Sequence, residues 1–221
     1  IAHDGSNVYS LGIGLSEVPN GTEILTVTPA GSSIYDKAAR EASTSQSNNT
    51  ATLNPVAIHR GTDIDGETAG DFSGISVSMN AAADRIAIGA TGNDDNGSGS
   101  GHVRIYEYSS NSWNQLGADI DGEAAGDFSG KVSMNAVGDR VAIGANQNDG
   151  NGADAGHVRI YEYSSNSWNQ LGADIDGETA GDFSGTVSMN AAGDRVAIGA
   201  SSNDGNGADA GHVRIYEYSS N

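Results

Sequence analysis

The sequence predicts an all-β fold in which one unit of four short strands recurs three times. The first observation is a repeat: residues 113–166 recur almost unchanged as 168–221, and a looser copy covers about 57–111. The second is that each copy consists of short apolar runs separated by Gly, Asn, Asp and Ser, without the capped 3.6-residue period of a helix. Because a fixed period of this length is typical of stacked or radial repeats, the copies are expected to pack on one another.

Four apolar runs define the strands of each copy. In the last copy they cover 168–175, 186–189, 195–200 and 212–218. Apolar and polar side chains alternate along the third and fourth runs, which is the period of a strand, and the clusters between runs supply residues suited to tight turns. One isolated sheet would leave apolar surface uncovered, so the sheets are predicted to pack face to face in chain order. Met79, Met134 and Met189, spaced 55 residues apart, are predicted to be buried between them.

The second and third copies are nearly identical. Their aligned residues differ at five positions only: Ala124/Thr179, Lys131/Thr186, Val137/Ala192, Asn146/Ser201 and Gln147/Ser202. The first copy is one residue longer after Gly74.

Each copy carries a Phe-Ser-Gly segment, a short strand and then an apolar strand ending in Ile-Gly-Ala. These segments are 72–74 with 88–90, 128–130 with 143–145, and 183–185 with 198–200. The pattern is similar to FG-GAP repeats, the blades of integrin-α-type propellers, and most closely to bacterial members with a D-G-x-x-x-G-D lead-in and an A-G-H-V-x-x-Y strand. The resemblance covers about three quarters of the chain. The resemblance implies a partial β-propeller of three four-stranded FG-GAP-like blades. Because a closed ring takes about four to eight blades, the chain would be an arc of a larger propeller or a fragment.

The copies depart from that family at its calcium loop. In place of the loop stand 80–84, 135–139 and 190–194, each with one Asn and one Asp four residues apart. Two oxygen-bearing side chains are too few for a Ca²⁺ site, which takes six to eight ligands. A β-turn with an Asx contact is therefore the favoured prediction for these segments.

Residues 1–54 do not share the repeat. Strands are predicted at 7–13, 23–28 and 50–54, with Asn20-Gly21 as a hairpin turn between the first two. The segment resembles the C-terminal part of a bacterial Ig-like β-sandwich module, so 1–54 is predicted to be a truncated Ig-like module. Residues 55–221 would then hold the blades, with repeats of about 57–112, 113–167 and 168–221. No signal peptide is present, and we expect a processed product or part of a longer chain.

Composition excludes several classes of function. The formal net charge of −19 has the wrong sign for nucleic acid and for an anionic membrane surface. No run is long and apolar enough for a membrane span, and the lack of cysteine excludes thiol chemistry.

Eighteen of the 29 acidic residues are predicted to share one edge of the blades, because alternate connections of a meander lie on the same edge. The lead-in loops carry Asp63, Asp65, Glu67, Asp71, Asp119, Asp121, Glu123, Asp127, Asp174, Asp176, Glu178 and Asp182, and the loops after Gly-Ala carry Asp94, Asp95, Asp149, Asp154, Asp204 and Asp209. Three interpretations remain open: solvated carboxylates that confer solubility, weak calcium binding by hard oxygen ligands, and a docking surface for a basic partner or a glycan. Because Gly99 stands where the other copies have Asp154 and Asp209, a later-loop site in the first copy is expected to be poorer.

Catalysis is not predicted. His102, His157 and His212 open the same strand in every copy, whereas an active site needs one asymmetric constellation. The resemblance implies a non-catalytic adhesion or ligand-binding region of a secreted or cell-surface protein, with a protein or glycan ligand. The alternatives are a propeller domain accessory to an enzyme whose catalytic part lies elsewhere, and a structural spacer in a large surface protein.

Overall fold

The computed structural model describes residues 59–218 continuously, and four short strands before them at 2–3, 9–10, 24–26 and 50–52. The chain divides into two compact units, Ile1–Arg60 and Gly61–Asn221. Every regular element in the described ranges is a β-strand, so the all-β prediction is confirmed. A helix long and apolar enough to cross a bilayer does not occur in those ranges.

The first unit contributes two antiparallel strand pairs. β1 (Ala2–His3) pairs with β2 (Tyr9–Ser10), and β3 (Ile24–Thr26) pairs with β4 (Thr50–Thr52). Strands β2, β3 and β4 fall within the three predicted segments. β2 and β3, expected to form a hairpin with each other, each have another partner, and the Asn20-Gly21 turn lies outside the described residues. The Ig-like remnant stays a prediction for the same reason.

The second unit consists of three antiparallel sheets, each a meander in chain order with a short extra strand in two of them. Sheet I comprises β5 (Ser76–Met79), β6 (Arg85–Ala90), β7 (His102–Ser109), β8 (Ser112–Gln115) and β9 (Ile120–Asp121). Sheet II comprises β10 (Lys131–Met134), β11 (Arg140–Ala145), β12 (His157–Ser164), β13 (Ser167–Gln170) and β14 (Ile175–Asp176). Sheet III comprises β15 (Ser184–Met189), β16 (Arg195–Ala200) and β17 (His212–Glu217). The short strands β9 and β14 pair with β7 and β12.

The strand that opens each sequence repeat belongs to the sheet of the preceding repeat. Trp113 pairs with Tyr108 in sheet I, and Trp168 pairs with Tyr163 in sheet II. The prediction that 168–175 and 186–189 share one sheet is therefore wrong. Ser110 and Asn111 both have positive φ, 53° and 62°, which is the two-residue hairpin turn that matches strand twist, so the local hairpin determines the pairing. Sheet III consequently has three strands among the described residues.

The three sheets pack face to face in chain order, as predicted. We call the face turned toward the preceding sheet the front and the face turned toward the next sheet the rear. Between sheets I and II the buried residues are Ala87, Val103, Ile105 and Ile120 from the rear of sheet I, and Val132, Met134, Val141, Ile143, Tyr161 and Trp168 from the front of sheet II. Between sheets II and III they are Ala142, Val158 and Ile160, with Val196 and Ile198.

The recurring methionines differ in burial although they share a position. Met134 is buried, Met189 is half-buried, and the side chain of Met79 is 47% exposed. The prediction holds for Met134 and is wrong for Met79, because no sheet of the second unit lies in front of sheet I.

Polar contacts also join adjacent sheets. Ser78 Oγ accepts a hydrogen bond from Met134 N (2.9 Å), and Ser133 Oγ accepts one from Met189 N (2.9 Å). Arg140 pairs with Glu162 at 2.7 Å in its own sheet and donates through Nη1 to Gly193 O (3.1 Å) of the next. Arg140 therefore makes both a local ion pair and a contact with the neighbouring sheet.

Candidate functional site

The lead-in loops and the loops after Gly-Ala lie side by side, as predicted. Gly126 N donates to Ser98 O (2.9 Å), Phe128 N donates to Gly99 O (3.0 Å), and Asn96 Nδ2 donates to Gly122 O (2.7 Å). We call this surface, formed by residues 63–71, 94–99, 119–127, 149–154, 174–182 and 204–209, the acidic edge.

The candidate metal ligands predicted from the sequence are sixteen of the eighteen acidic residues of this edge, all except Asp94 and Asp95, and three of them are buried. Asp71, Asp127 and Asp182 are at most 5% exposed. The Asp182 carboxylate accepts hydrogen bonds from Thr179 N (3.1 Å), Thr179 Oγ1 (2.8 Å) and Asn203 Nδ2 (3.0 Å). Burial favours the neutral carboxyl, but these hydrogen bonds outweigh it and lower the pKa of Asp182. The carboxylates of Asp127 and Asp182 therefore join their lead-in loop to the later loop, by accepting hydrogen bonds from Asn148 and Asn203.

Further candidates shape the later loops. Asp149 Oδ1 accepts from Asp154 N and Asp204 Oδ1 accepts from Asp209 N, both at 2.8 Å. Asp154 and Asp209 themselves have positive φ of 53° and 50°, a conformation that Asp tolerates in turns. The side chains of Asp63, Asp65, Asp121, Asp176 and Glu178 are exposed.

The remaining candidates gather around two histidines. Site A comprises Glu67, Asp95, His102 and Asp119, and site B comprises Glu123, His157 and Asp174; in each, one ligand atom per residue lies within 4.8 Å of the others. Glu67, Asp119, Glu123 and Asp174 were predicted from the sequence as metal ligands. The histidines were interpreted as structural and Asp95 was not proposed as a ligand. The pairing of β9 with β7, which sets Asp121 opposite His102, brings the next lead-in loop to the histidine.

The histidine of each site is almost completely buried. His102 and His157 are each 1% exposed, with Nδ1 3.8 Å from Glu67 Oε2 and 3.7 Å from Glu123 Oε2. His102 Nδ1 makes no hydrogen bond. Burial, together with the nearby Arg159, lowers the pKa of His157. Its imidazole is therefore neutral at neutral pH, the form that binds metal ions.

Site A has one more carboxylate than site B. Asp95 occupies the position that Gly150 and Gly205 hold in the later repeats. Because Gly99 replaces the aspartate of the other repeats, the loop after Gly-Ala in the first repeat was predicted to bind a cation less well. That loop nevertheless supplies site A with its fourth ligand group, Asp95. Arg104 Nη1, 3.3 Å from Glu67 Oε1, offsets part of the negative charge. In the third repeat, His212 Nδ1 and Glu178 Oε2 approach to 3.6 Å.

The turns at 80–84, 135–139 and 190–194 do not fit a cation. Asn190 Nδ2 donates to Asp194 Oδ1 (2.6 Å), and Asn190 Oδ1 accepts from the main-chain nitrogens of Gly193, Asp194 and Arg195. The predicted turn with an Asx contact is confirmed. Asn190 Oδ1 already accepts three hydrogen bonds, and Asp194 Oδ1 accepts another from Asn190. Too few free oxygen atoms therefore remain to bind calcium.

A groove of about 390 Å³ is lined by residues of strands β5, β10 and β15 and of the loops beside them. Its lining is formed by Ile75, Ser76, Thr91, Phe128, Lys131, Val132, Asn146, Gln147, Thr186 and Val187. Lys131 is the one charged side chain among these, although the protein is strongly acidic. Phe128 has φ of 49°, a strained conformation that its counterparts Phe72 (55°) and Phe183 (52°) share, so it is a feature of every repeat and not of the groove.

Differences between repeats converge on this groove. Five aligned positions distinguish the second and third repeats, and three of them contribute to the lining of the groove. Position 131/186 contributes both Lys131 and Thr186, position 146/201 contributes Asn146, and position 147/202 contributes Gln147. Many exposed positions, such as Ser165 and Asn166, are identical to their counterparts 55 residues later. Exposure alone therefore does not account for where the repeats differ. Sequence reasoning missed the groove because its residues come from three repeats.

Comparisons with known proteins assign no family. No family model and no curated protein matches the chain. Among solved structures, TolB from Acinetobacter baumannii aligns with a TM-score of 0.39 and 15% identity over 68% of this chain and 33% of its own. A candidate 6-phosphogluconolactonase from Bacteroides uniformis aligns with a TM-score of 0.40 and 12% identity over 78% of this chain and 50% of its own. The chain thus spans a third to a half of these proteins.

Proposed function

We propose that this chain is a non-catalytic ligand-binding module of a secreted or cell-surface protein, in which the three sheets are blades in an arc of a β-propeller. The observation that carries the proposal is the convergence of repeat differences on the groove. Packing alone gives no reason for equivalent residues of the second and third repeats to differ, whereas one asymmetric ligand would contact each repeat differently. The near-identity of the second and third repeats elsewhere favours binding over a catalytic role.

The chemistry of the groove favours a hydroxyl-rich ligand that carries a carboxylate, such as an acidic sugar of a cell-surface glycan. Asn146, Gln147 and Thr186 offer amide and hydroxyl groups that can both donate and accept hydrogen bonds. Phe128 and Val132 add apolar surface, and the Lys131 ammonium can pair with an anionic group.

Replacing Lys131 with threonine should weaken binding of a galacturonate oligosaccharide by about tenfold or more, because a hydrogen bond to a charged group contributes roughly 1.5–3 kcal/mol. Threonine is the residue that the third repeat carries at this position, so the fold should be retained. Chemical-shift perturbation of the ¹⁵N-labelled protein would measure the affinity and report which residues move.

The matched ligand is a neutral galactose oligosaccharide of the same length. Its binding should change little on Lys131→Thr, since it has no carboxylate. If galacturonate perturbs residues elsewhere, or binds the variant as tightly as the original protein, the groove is not the glycan site.

We further propose that the acidic edge binds divalent cations, most strongly at site A. The support is the buried, unpartnered His102 Nδ1 beside three carboxylates. Calcium was expected from the carboxylates alone, but an imidazole ligand suits zinc better, since calcium takes oxygen ligands.

Adding Zn²⁺ at about a hundred times its dissociation constant should raise the free energy of unfolding by roughly 2.7 kcal/mol, and millimolar Ca²⁺ should do less. Thermal melts in EDTA, ZnCl₂ and CaCl₂, with NaCl matching the ionic strength, would separate binding from screening. Asp119→Asn should remove much of the gain. Asp121→Asn, which removes the same charge two residues away but outside site A, should not. Equal loss in both variants would identify a diffuse electrostatic effect.

A further inference from the structure

All three phenylalanines of the chain stand at one position of the repeat, in a backbone conformation that suits other residues better. Phe72, Phe128 and Phe183 have φ of 55°, 49° and 52°. A bulky residue at positive φ is an outlier, because its Cβ crowds the carbonyl oxygen that follows. At other turns with positive φ the chain places residues that tolerate this conformation, such as Asn111 and Asp154. We call the three side chains the phenylalanine row.

The residues on either side impose this conformation. Asp127 and Ser129 are 3% and 0% exposed, and Phe128 N between them donates to Gly99 O (3.0 Å). The residues before and after Phe183 are likewise at most 2% exposed. A backbone held in this way can keep a strained residue in place, and strain of this kind persists at sites where a ligand requires it.

The rings of the phenylalanine row do not serve the hydrophobic core. None of them belongs to the two clusters of buried residues that join the sheets within 59–218. Phe72 is 68% exposed, Phe128 is 37% exposed and Phe183 is half-buried. Core packing therefore gives no reason for phenylalanine to recur at a position that glycine or asparagine would occupy without strain.

The row lies beside the groove. Phe128 is part of the groove lining. Phe72 lies against Gly92, where a Cβ would be 2.8 Å from its ring, and Gly92 follows the lining residue Thr91. Phe183 stands three residues before another lining residue, Thr186. Because the sheets pack face to face in chain order, the three phenylalanines succeed one another along the stack.

The combination of exposed rings and polar groups fits a chain of sugars. One face of a pyranose ring carries C–H groups that pack on an aromatic ring, while its hydroxyl groups need donors and acceptors. Phe128 offers the aromatic ring, and Asn146, Gln147 and Thr186 offer amide and hydroxyl groups in the same groove. An apolar peptide would leave these polar groups without partners, so a glycan is the favoured occupant.

We propose that the phenylalanine row forms a series of stacking surfaces, so that the ligand is an oligosaccharide whose successive sugars pack on successive repeats. This inference rests on the proposed glycan-binding function and specifies its ligand as a chain of sugars, not a single sugar. The strained φ is retained in every repeat because the ring that it presents at the surface contacts the ligand.

The first test replaces Phe128 with asparagine in the full 221-residue chain. Asparagine tolerates positive φ, so relief of strain should offset the lost ring contacts, and the melting temperature should fall by no more than about 3 °C. Binding of a galacturonate oligosaccharide and of a neutral galactose oligosaccharide should both weaken, each by about tenfold. This separates Phe128 from Lys131, whose replacement should weaken binding of the charged ligand only. Val137→Asn, which changes a 63% exposed apolar residue outside the row and the groove, should bind both as the original chain does.

The second test varies the length of the ligand and needs no variant. A galacturonate trisaccharide should bind the original chain at least about tenfold more tightly than the monosaccharide, because additional sugars reach additional rings. Phe128→Asn should reduce this ratio.

The inference is overturned if the monosaccharide binds as tightly as the trisaccharide, or if Phe128→Asn binds both oligosaccharides as the original chain does. It is also overturned if this variant melts many degrees lower, since the ring would then be structural. If the original chain binds neither oligosaccharide, the proposed function itself fails. If both bind in the groove and only the tests of Phe128 and of ligand length fail, the proposed function stands and the phenylalanine row is not part of its site.

Discussion

Replacing Gly144 with alanine should lower the free energy of unfolding by about 3 kcal/mol or more, at the upper end of the effect of overpacking. Gly144 is the glycine of Ile-Gly-Ala in sheet II, and a Cβ built on it would lie 1.8 Å from the carbonyl oxygen of Gly185 in sheet III. The obstacle is main chain, which cannot rotate away as a flexible side chain would. Sheets II and III would have to separate, and the buried contacts between them would be lost. Chemical denaturation would measure the change.

Gly199→Ala is the matched control. Gly199 stands in the same Arg-Val-Ala-Ile-Gly-Ala sequence, but its nearest neighbour to an added Cβ is Thr186 Cβ at 3.5 Å, an ordinary contact. We expect a change within about 0.5 kcal/mol. Equal destabilisation by both substitutions would show that the close approach of the sheets is not what requires glycine.

Replacing Ile160 with alanine should lower the free energy of unfolding by about 2–5 kcal/mol. Ile160 is 1% exposed and packs with Val158, Val196 and Ile198 between sheets II and III. The substitution removes buried methyl groups and leaves a cavity between two sheets whose hydrogen bonds hold them in place.

Ile215→Ala should change the free energy of unfolding by about 0.5 kcal/mol or less, because Ile215 is 73% exposed. The two isoleucines lie in strands of the same sequence, His-Val-Arg-Ile-Tyr-Glu, so strand propensity cancels between them. If both substitutions cost several kcal/mol, the rear of sheet III would have to be covered in solution.

Much of the architecture could be predicted from the sequence, since its causes are local. The 55-residue period predicted three packed sheets, and the alternation in 195–200 predicted a strand with one face turned to each neighbour. The Asx turn at 190–194 followed from residue types that form it within five residues. These features depend on contacts between residues near one another in the chain or on a repeat that is visible by inspection.

The candidate sites could be predicted only in part. Carboxylates of the acidic edge were identified from the sequence, because meander connections alternate between edges. The sequence could not predict that Asp182 is buried, that Asp176 is exposed and that Asp174 belongs to site B, because all three are aspartates of the same loop. Site A combines Glu67, Asp95, His102 and Asp119, whose proximity depends on strand pairing and on loops that cross between repeats.

By itself, the sequence determined that the chain is all-β, that its sheets recur three times, and that negative charge collects in two kinds of loop. Strand alternation and turn chemistry act over a few residues and are the same in every copy, so these conclusions needed no coordinates. Only the tertiary structure decided that Trp168 completes the sheet of the preceding repeat, that Ile160 is buried while Ile215 is exposed, and that repeat differences meet in one groove. The physical reason is that burial depends on a residue and its neighbours together: among residues 59–218, sheet II has a sheet packed on both faces, whereas the rear of sheet III has none.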